Sequence, residues 1–318
     1  MRLTLVEPRA GLHGAAERPL TIFTHIPKCA GTAFETILDA VGKSRGRTVR
    51  RIRGSIYGQF LGPGKFQNCE RALQPGALPK IPEEVAFLTG HLPFGVHRQI
   101  AGDCIYITLL REPEARCRSH FRHGIERGGW TEDTPLADLF ASGALIDNPQ
   151  VRQLAGLADP DTPCGEREVK TALRHLEEVY GVVGTQERFD DFLAAMIALY
   201  DWPAVCYGGN RGSEEEEPEG GTAAWRQTLR DRHTCDRELY AEVARRQPLW
   251  RRDLESRTAP GGKAVERREI LLTASFPRLG PEVGAVVWGP SARLLTRDAF
   301  QQAFAPMQAQ GRLRIVAA

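Results

Sequence analysis

The chain has 318 residues, 42% of them apolar and 26% charged, the balance of a soluble globular protein with one large domain or two ordinary ones. Its 42 basic and 40 acidic side chains leave a net charge of +2, too small to argue for a nucleic-acid or membrane-surface partner. Seven cysteines without a C-x-x-C pair argue against a disulfide framework or a zinc site, and imply reduced thiols and a cytoplasmic protein. No apolar run approaches the ~20 residues of a membrane span.

Residues 1–18 are polar and Gly-rich, without the apolar core of a signal peptide, and are expected to form a loose leader. The stretch TIFTHIPKCAGTAFETIL (21–38) then reads as a short buried strand, a turn and a helix. Phe34, Ile37, Leu38 and Val41 recur at helical spacing, and Gly42 is a suitable residue to end that helix. Residues 43–82, rich in Arg, Gly and Pro, predict an irregular excursion. Strands are expected at 85–88, 104–110 and 179–183, and helices after Pro113, over 166–178, over 189–200 and around 235–246. Continuous apolar strands alternating with helices specify an α/β fold whose parallel sheet is covered on both faces. The acidic, Gly-flanked stretch 208–221 predicts a surface loop, and strands with one short helix are expected in a C-terminal extension from about residue 264.

In such a sheet, ligands gather at the carboxyl ends of the strands. The first strand end carries Lys28, Cys29, Ala30, Gly31, Thr32 and Ala33, with backbone N–H groups at a helix N-terminus beside a cation and a hydroxyl. That arrangement suits a phosphate, although it departs from G-x-x-x-x-G-K-[ST]: the lysine precedes the glycine and no glycine opens the loop. A later strand ends in Arg111, where a triphosphatase needs an aspartate for magnesium. Arg111 suits a second phosphate, with Ser119 of the next helix contributing a hydroxyl. Arg116 and Arg118 are expected as solvated helix charges. The predicted ligand carries two separated phosphate groups and needs no metal between them.

HIPKCAGTAF (25–34) and TLLREPEARCRSHF (108–121) resemble the 5′-phosphosulfate and 3′-phosphate motifs of sulfotransferases that use 3′-phosphoadenosine 5′-phosphosulfate (PAPS). The closest resemblance is to the carbohydrate branch that includes heparan sulfate 2-O-sulfotransferases. GHLPFGVH, DNPQVRQLAG, VVGTQERFDDFL and DRELYAEV are similar to later stretches of that family, in order. The resemblance implies a P-loop-like three-layer α/β fold, a PAPS-binding domain over 19–255, and adenosine 3′,5′-bisphosphate as product. The extension 264–318 has no counterpart in it. By motif, Lys28, Gly31 and Thr32 hold the 5′-phosphosulfate, and Arg111 and Ser119 the 3′-phosphate. His91 falls where the 2-O branch has its catalytic histidine.

Sulfuryl transfer needs a cation at the leaving phosphate and a base at the attacking hydroxyl. Lys28 suits the first role. His91, at a strand end and of near-neutral intrinsic pKa, suits the second. His25 is expected to brace the loop; His97, His120 and His123 remain alternative bases, and Glu35 and Glu112 read as exposed helix or turn charges. Asn148, Arg152 and Gln153 are candidate acceptor contacts. The acceptor is a hydroxyl on a glycan or, alternatively, a natural product. A metal-dependent nucleotide kinase or NTPase and a non-catalytic nucleotide-binding module are the competing readings, and a homo-oligomer is open.

Overall fold

The structure is a computed structural model and describes residues 20–44, 48–52, 81–82, 84–100, 103–159, 161–200, 202, 204–207, 223–258, 269–272, 293–296 and 314–316. The expected leader, the loop at 208–221 and most of the excursion after residue 52 lie outside the described residues.

Five parallel strands form the main sheet: β1 (Leu20–Thr24), β2 (Thr48–Ile52), β3 (Val85–Gly90), β4 (Cys104–Leu110) and β5 (Tyr180–Thr185), in the order β2-β3-β1-β4-β5. Helices cover both of its faces, as expected for strands that are nearly continuous apolar runs. These helices are α1 (Gly31–Ser44), α2 (Pro113–Glu126), α3 (Leu136–Ala141), α4 (Pro149–Ala155), α5 (Glu166–Glu178), α6 (Phe189–Tyr200), α7 (Ala223–Arg232) and α8 (Thr234–Thr258). Phe34 of α1 locks this packing, meeting Phe23 of β1 edge-on at 4.9 Å and Phe192 of α6 at 5.0 Å.

Several expectations need correction. The segment 43–82 is not wholly irregular, because TVRRI within it pairs as the edge strand β2 against β3. Helix α1 runs past Gly42 to Ser44. In the C-terminal part, β7 (Glu269–Leu272), β8 (Arg293–Thr296) and β9 (Arg314–Val316) join β6 (Ala204–Tyr207) in a second, mixed sheet ordered β8-β7-β6-β9. The rest of the extension expected from about residue 264 lies outside the described residues.

Topology places the site. From β1 the chain builds β2 and β3 on one side, then returns to the other side of β1 for β4. The loop after β1 therefore sits where the winding reverses, the usual ligand position in an open α/β sheet. Register aligns Thr24 with Gly90 on one side and with Thr108 on the other. His25, His91 and Arg111 consequently emerge at one edge.

Candidate active site

The turn after β1 closes with Cys29 N–H donating to Ile26 O at 3.3 Å, and Lys28 (φ 69°) and Ala30 (φ 59°) both adopt left-handed backbone. Left-handed backbone costs non-glycine residues roughly 1–2 kcal/mol each, so strain is stored where a phosphate loop commonly uses glycine. The first helical bond of α1 runs from Phe34 N to Ala30 O. Among the described residues, no acceptor meets the N–H groups of Ala30, Gly31, Thr32 or Ala33, which leaves four donors at the positive end of α1. Thr32 is exposed beside them. Cys29 contributes shape alone: its N–H is spent in the turn and its Sγ is buried against Gln150 Oε1 at 3.7 Å, where burial pushes the thiol up to about 12.

Arg111 closes on the same loop. Its Nη1 donates to Lys28 O at 3.2 Å, while its buried Nε has no acceptor among the described residues. Helix α2 begins just beyond, capped by Glu112, whose carboxylate accepts from Glu114 N and Ala115 N at 3.0 and 2.6 Å. Glu112 is thereby committed to the helix end and withdrawn as a base. Ser119 lies half-buried on α2. Arg116 corrects the expectation of a solvated charge: it is 2% exposed, and its Nε likewise finds no acceptor among the described residues. Burial lowers the Lys28 pKa; Arg111 and Arg127 repel its charge further, and Glu126 opposes them. These groups collect positive potential around the four N–H donors, an arrangement that fits a polyanion.

The third strand end holds three coupled side chains. His91 Nδ1–H donates to His25 O at 2.8 Å, and the two imidazoles lie 4.4 Å apart between ring centres. Burial, with repulsion from His25, lowers the His91 pKa to about 4; the bond to the His25 carbonyl and the Glu35 charge oppose this. The ring is therefore neutral at pH 7, and its tautomer leaves Nε2 as the basic nitrogen. His25 donates from Nδ1 to Glu35 Oε1 at 3.1 Å, and its ring lies so close to Gly31 that a Cβ there would meet Nε2 at 2.2 Å. Glu35 is not a simple exposed charge. It accepts from His25, from Thr89 Oγ1 at 2.6 Å and from Arg51 Nε at 3.3 Å. Burial favours its neutral form, but these partners outweigh burial and hold its carboxyl down to about 2, too acidic for a base. His97 sits elsewhere, its Nδ1 bonded to Tyr106 Oη at 2.9 Å. His120 and His123 face Lys28 electrostatically from α2.

Asn148, Arg152 and Gln153, the candidate acceptor contacts, are buried, at 4%, 3% and 0% exposed. Asn148 Oδ1 accepts from Asp236 N at 3.1 Å. Arg152 binds the Asp147 carboxylate and the carbonyls of Asp147 and Thr162. Gln153 Nε2 donates to His25 O and Leu92 O. Their polar contacts lie within the fold, Asn148 and Gln153 on main chain and Arg152 on Asp147 and Thr162. Sequence reasoning missed Gln150, which is fully buried against Arg111, and it missed the network centred on Glu35. Neither carries a local signature, because Arg111 lies 39 residues from Gln150 and Thr89 lies 54 from Glu35.

No protein-family model matches the chain. The chain is similar to galactose-3-O-sulfotransferase 3 of Bos taurus, at 25% identity over 267 residues. The matched region covers 78% of this chain and 59% of the relative, so the chain spans less than two thirds of that protein's length. The relative is named for transfer of sulfate to galactose. The name is galactose 3-O, however, and not heparan sulfate 2-O.

Proposed function

We propose that this protein is a sulfotransferase that moves the sulfuryl group of PAPS to a hydroxyl of a carbohydrate or glycoconjugate. The observation that carries this reading is the convergence on one loop of Lys28, four N–H donors and the Nε of Arg111, none of these five donors meeting an acceptor among the described residues. The similarity to a galactose sulfotransferase supports the choice of sulfuryl transfer and of a sugar acceptor.

When bound, PAPS supplies a sulfuryl group attached to a phosphate leaving group. Lys28 and the N–H groups of Ala30 to Ala33 stabilise the charge that collects on the departing phosphate oxygen. Arg111 and Ser119 hold the 3′-phosphate and so align the donor for in-line attack. His91 accepts the proton of the attacking hydroxyl at Nε2, its Nδ1–H anchored on His25 O. A polyanion beside His91 raises its basicity from the ligand-free value, since nearby negative charge favours imidazolium.

The test is mass spectrometry of galactose-terminated and heparan-type oligosaccharides, and of hydroxylated small molecules, incubated with the protein and PAPS. A gain of one SO₃ on a sugar hydroxyl is expected. Gain on the small molecules alone moves the acceptor to a natural product. No gain, together with thermal stabilisation by ATP and Mg²⁺ but not by adenosine 3′,5′-bisphosphate, refutes the proposal.

A further inference from the structure

Gln150 and Gln153 stand three residues apart on α4, close to one face, and both are fully buried. Each grips the main chain of a different strand end. Gln150 Oε1 accepts from Arg111 N at 3.0 Å and its Nε2 donates to Arg111 O at 2.9 Å, fixing the carboxyl end of β4 at two points. Gln153 Nε2 donates to His25 O at 3.1 Å and to Leu92 O at 3.0 Å. Leu92 follows His91 directly, and His25 O is the oxygen that also accepts His91 Nδ1–H. The main chain of Gln153 joins in, its carbonyl accepting from Phe94 N at 2.8 Å.

Helix α4 is itself held from behind. The Asp236 carboxylate of α8 accepts from Gln150 N at 3.2 Å and Val151 N at 2.8 Å, and Asp236 N donates back to Asn148 Oδ1. A short helix anchored in this way acts as a rigid spacer between whatever its side chains grip.

We propose that α4 sets the separation between the two chemical halves of the site, with Gln150 positioning Arg111 and Gln153 positioning His91. The roles of Arg111 and His91 rest on the proposed function; the spacer itself rests on the hydrogen bonds. Neither glutamine touches substrate in this scheme. Both are positioning residues.

Gln150→Met and Gln153→Met, similar in length and unable to make these bonds, separate the two arms. Circular dichroism confirms that each variant is folded. Gln150→Asn and Gln153→Asn, one methylene too short for the same contacts, replace them if the methionine variants do not fold. The first readout is the His91 titration, followed by NMR of labelled histidine in the ligand-free protein. The groups facing His91 electrostatically include His25 at the end of β1, Glu35 on α1 and His120 on α2, and neither substitution alters them. Loss of the Gln153 bonds leaves His25 O to His91 alone and loosens the strand end to water. Both effects favour imidazolium, so Gln153→Met raises the His91 pKa toward the ordinary imidazole value and Gln150→Met does not. The second readout is calorimetric preference for adenosine 3′,5′-bisphosphate over adenosine 5′-phosphate. Gln150→Met lowers it about tenfold, the scale of one or two hydrogen bonds, and Gln153→Met leaves it within about twofold. A His91 titration unmoved in Gln153→Met, or moved equally in both variants, overturns the spacer. A wild type that binds neither nucleotide refutes the proposed function, while the ligand-free titration still decides the spacer.

Discussion

Gly31→Ala tests how the loop, His25 and His91 are packed together. The added methyl carbon would lie 2.1 Å from His25 Cδ2, 2.2 Å from Nε2 and 2.7 Å from Cγ, so the imidazole must leave its position. It has nowhere close to go. The residue is 8% exposed, its ring lies against Phe23 with centroids 5.6 Å apart, and its Nδ1 is held by Glu35. Overpacking of this kind costs about 1–3 kcal/mol. Losing a hydrogen bond to a charged carboxylate adds about 1.5–3 kcal/mol, against a helix-propensity gain for alanine of at most ~1 kcal/mol. The net is about 1.5–6 kcal/mol of destabilisation, a fall in Tm of roughly 2–9 °C for a chain of this size. Thermal and urea denaturation of Gly31→Ala, His25→Ala and the double variant measure it as a cycle. With the imidazole removed, the methyl has space and the penalty disappears. If Gly31→Ala melts at or above the wild-type temperature, or its penalty persists beside His25→Ala, the packing account is wrong.

Lys28→Ala is expected to lose on the order of 10²–10³ in turnover, the scale of one transition-state donor, and unchanged turnover takes Lys28 out of the chemistry. His91→Ala is expected to lose ~10²–10⁴ in turnover while still binding adenosine 3′,5′-bisphosphate; loss of that binding makes His91 a ligand contact or a structural residue. The same variant has a stability signature. The His91 pKa is lowered on folding to about 4, so its contribution is complete above the unfolded value near 6.5 and is lost as pH falls toward about 4. Urea denaturation across that window should show the wild type losing up to about 3 kcal/mol more than His91→Ala, less whatever solvent screens. Arg111→Ala should reduce the calorimetric preference for the bisphosphate over adenosine 5′-phosphate, and an unaltered preference refutes a second phosphate site at Arg111.

The parts legible in the sequence were those encoded locally. A strand, a Lys-bearing turn and an amphipathic helix occupy adjacent residues, so the loop at 28–33 and the strand ends at His91 and Arg111 could be placed from spacing alone. The edge strand β2 escaped because TVRRI has two charged residues at its centre and only two aliphatic ones, too few for an apolar run. Strands β6 and β9 span four and three residues, below the length at which periodicity speaks. The side chains around the site were misjudged for a different reason. Glu35, Arg116, Asn148, Arg152 and Gln153 are polar types whose usual place is the surface, and their burial depends on partners distant in the chain. Thr89 lies 54 residues from Glu35, and Asp236 lies 88 residues from Asn148. No window of sequence contains both halves of such a pair.

Those distant pairs also explain how the fold tolerates its own site. Left-handed backbone at Lys28 and Ala30, buried Nε atoms of Arg111 and Arg116 without an acceptor among the described residues, and a partly desolvated Lys28 each oppose folding. The opposing forces sit in neighbouring elements: Gln150 on the main chain of Arg111, Glu35 on His25, and Asp236 on the start of α4. Under the proposed function, a bound polyanion meets donors left open at the helix start and cations already partly desolvated. Little reorganisation then remains to be made at the moment of transfer. The same donors gain little from a neutral ligand, which cannot offset the burial of Lys28 and Arg111. Under the proposed function, selectivity for a doubly anionic nucleotide and the opposition to folding at Lys28 have one physical origin: positive charge held in place by a scaffold that does not neutralise it.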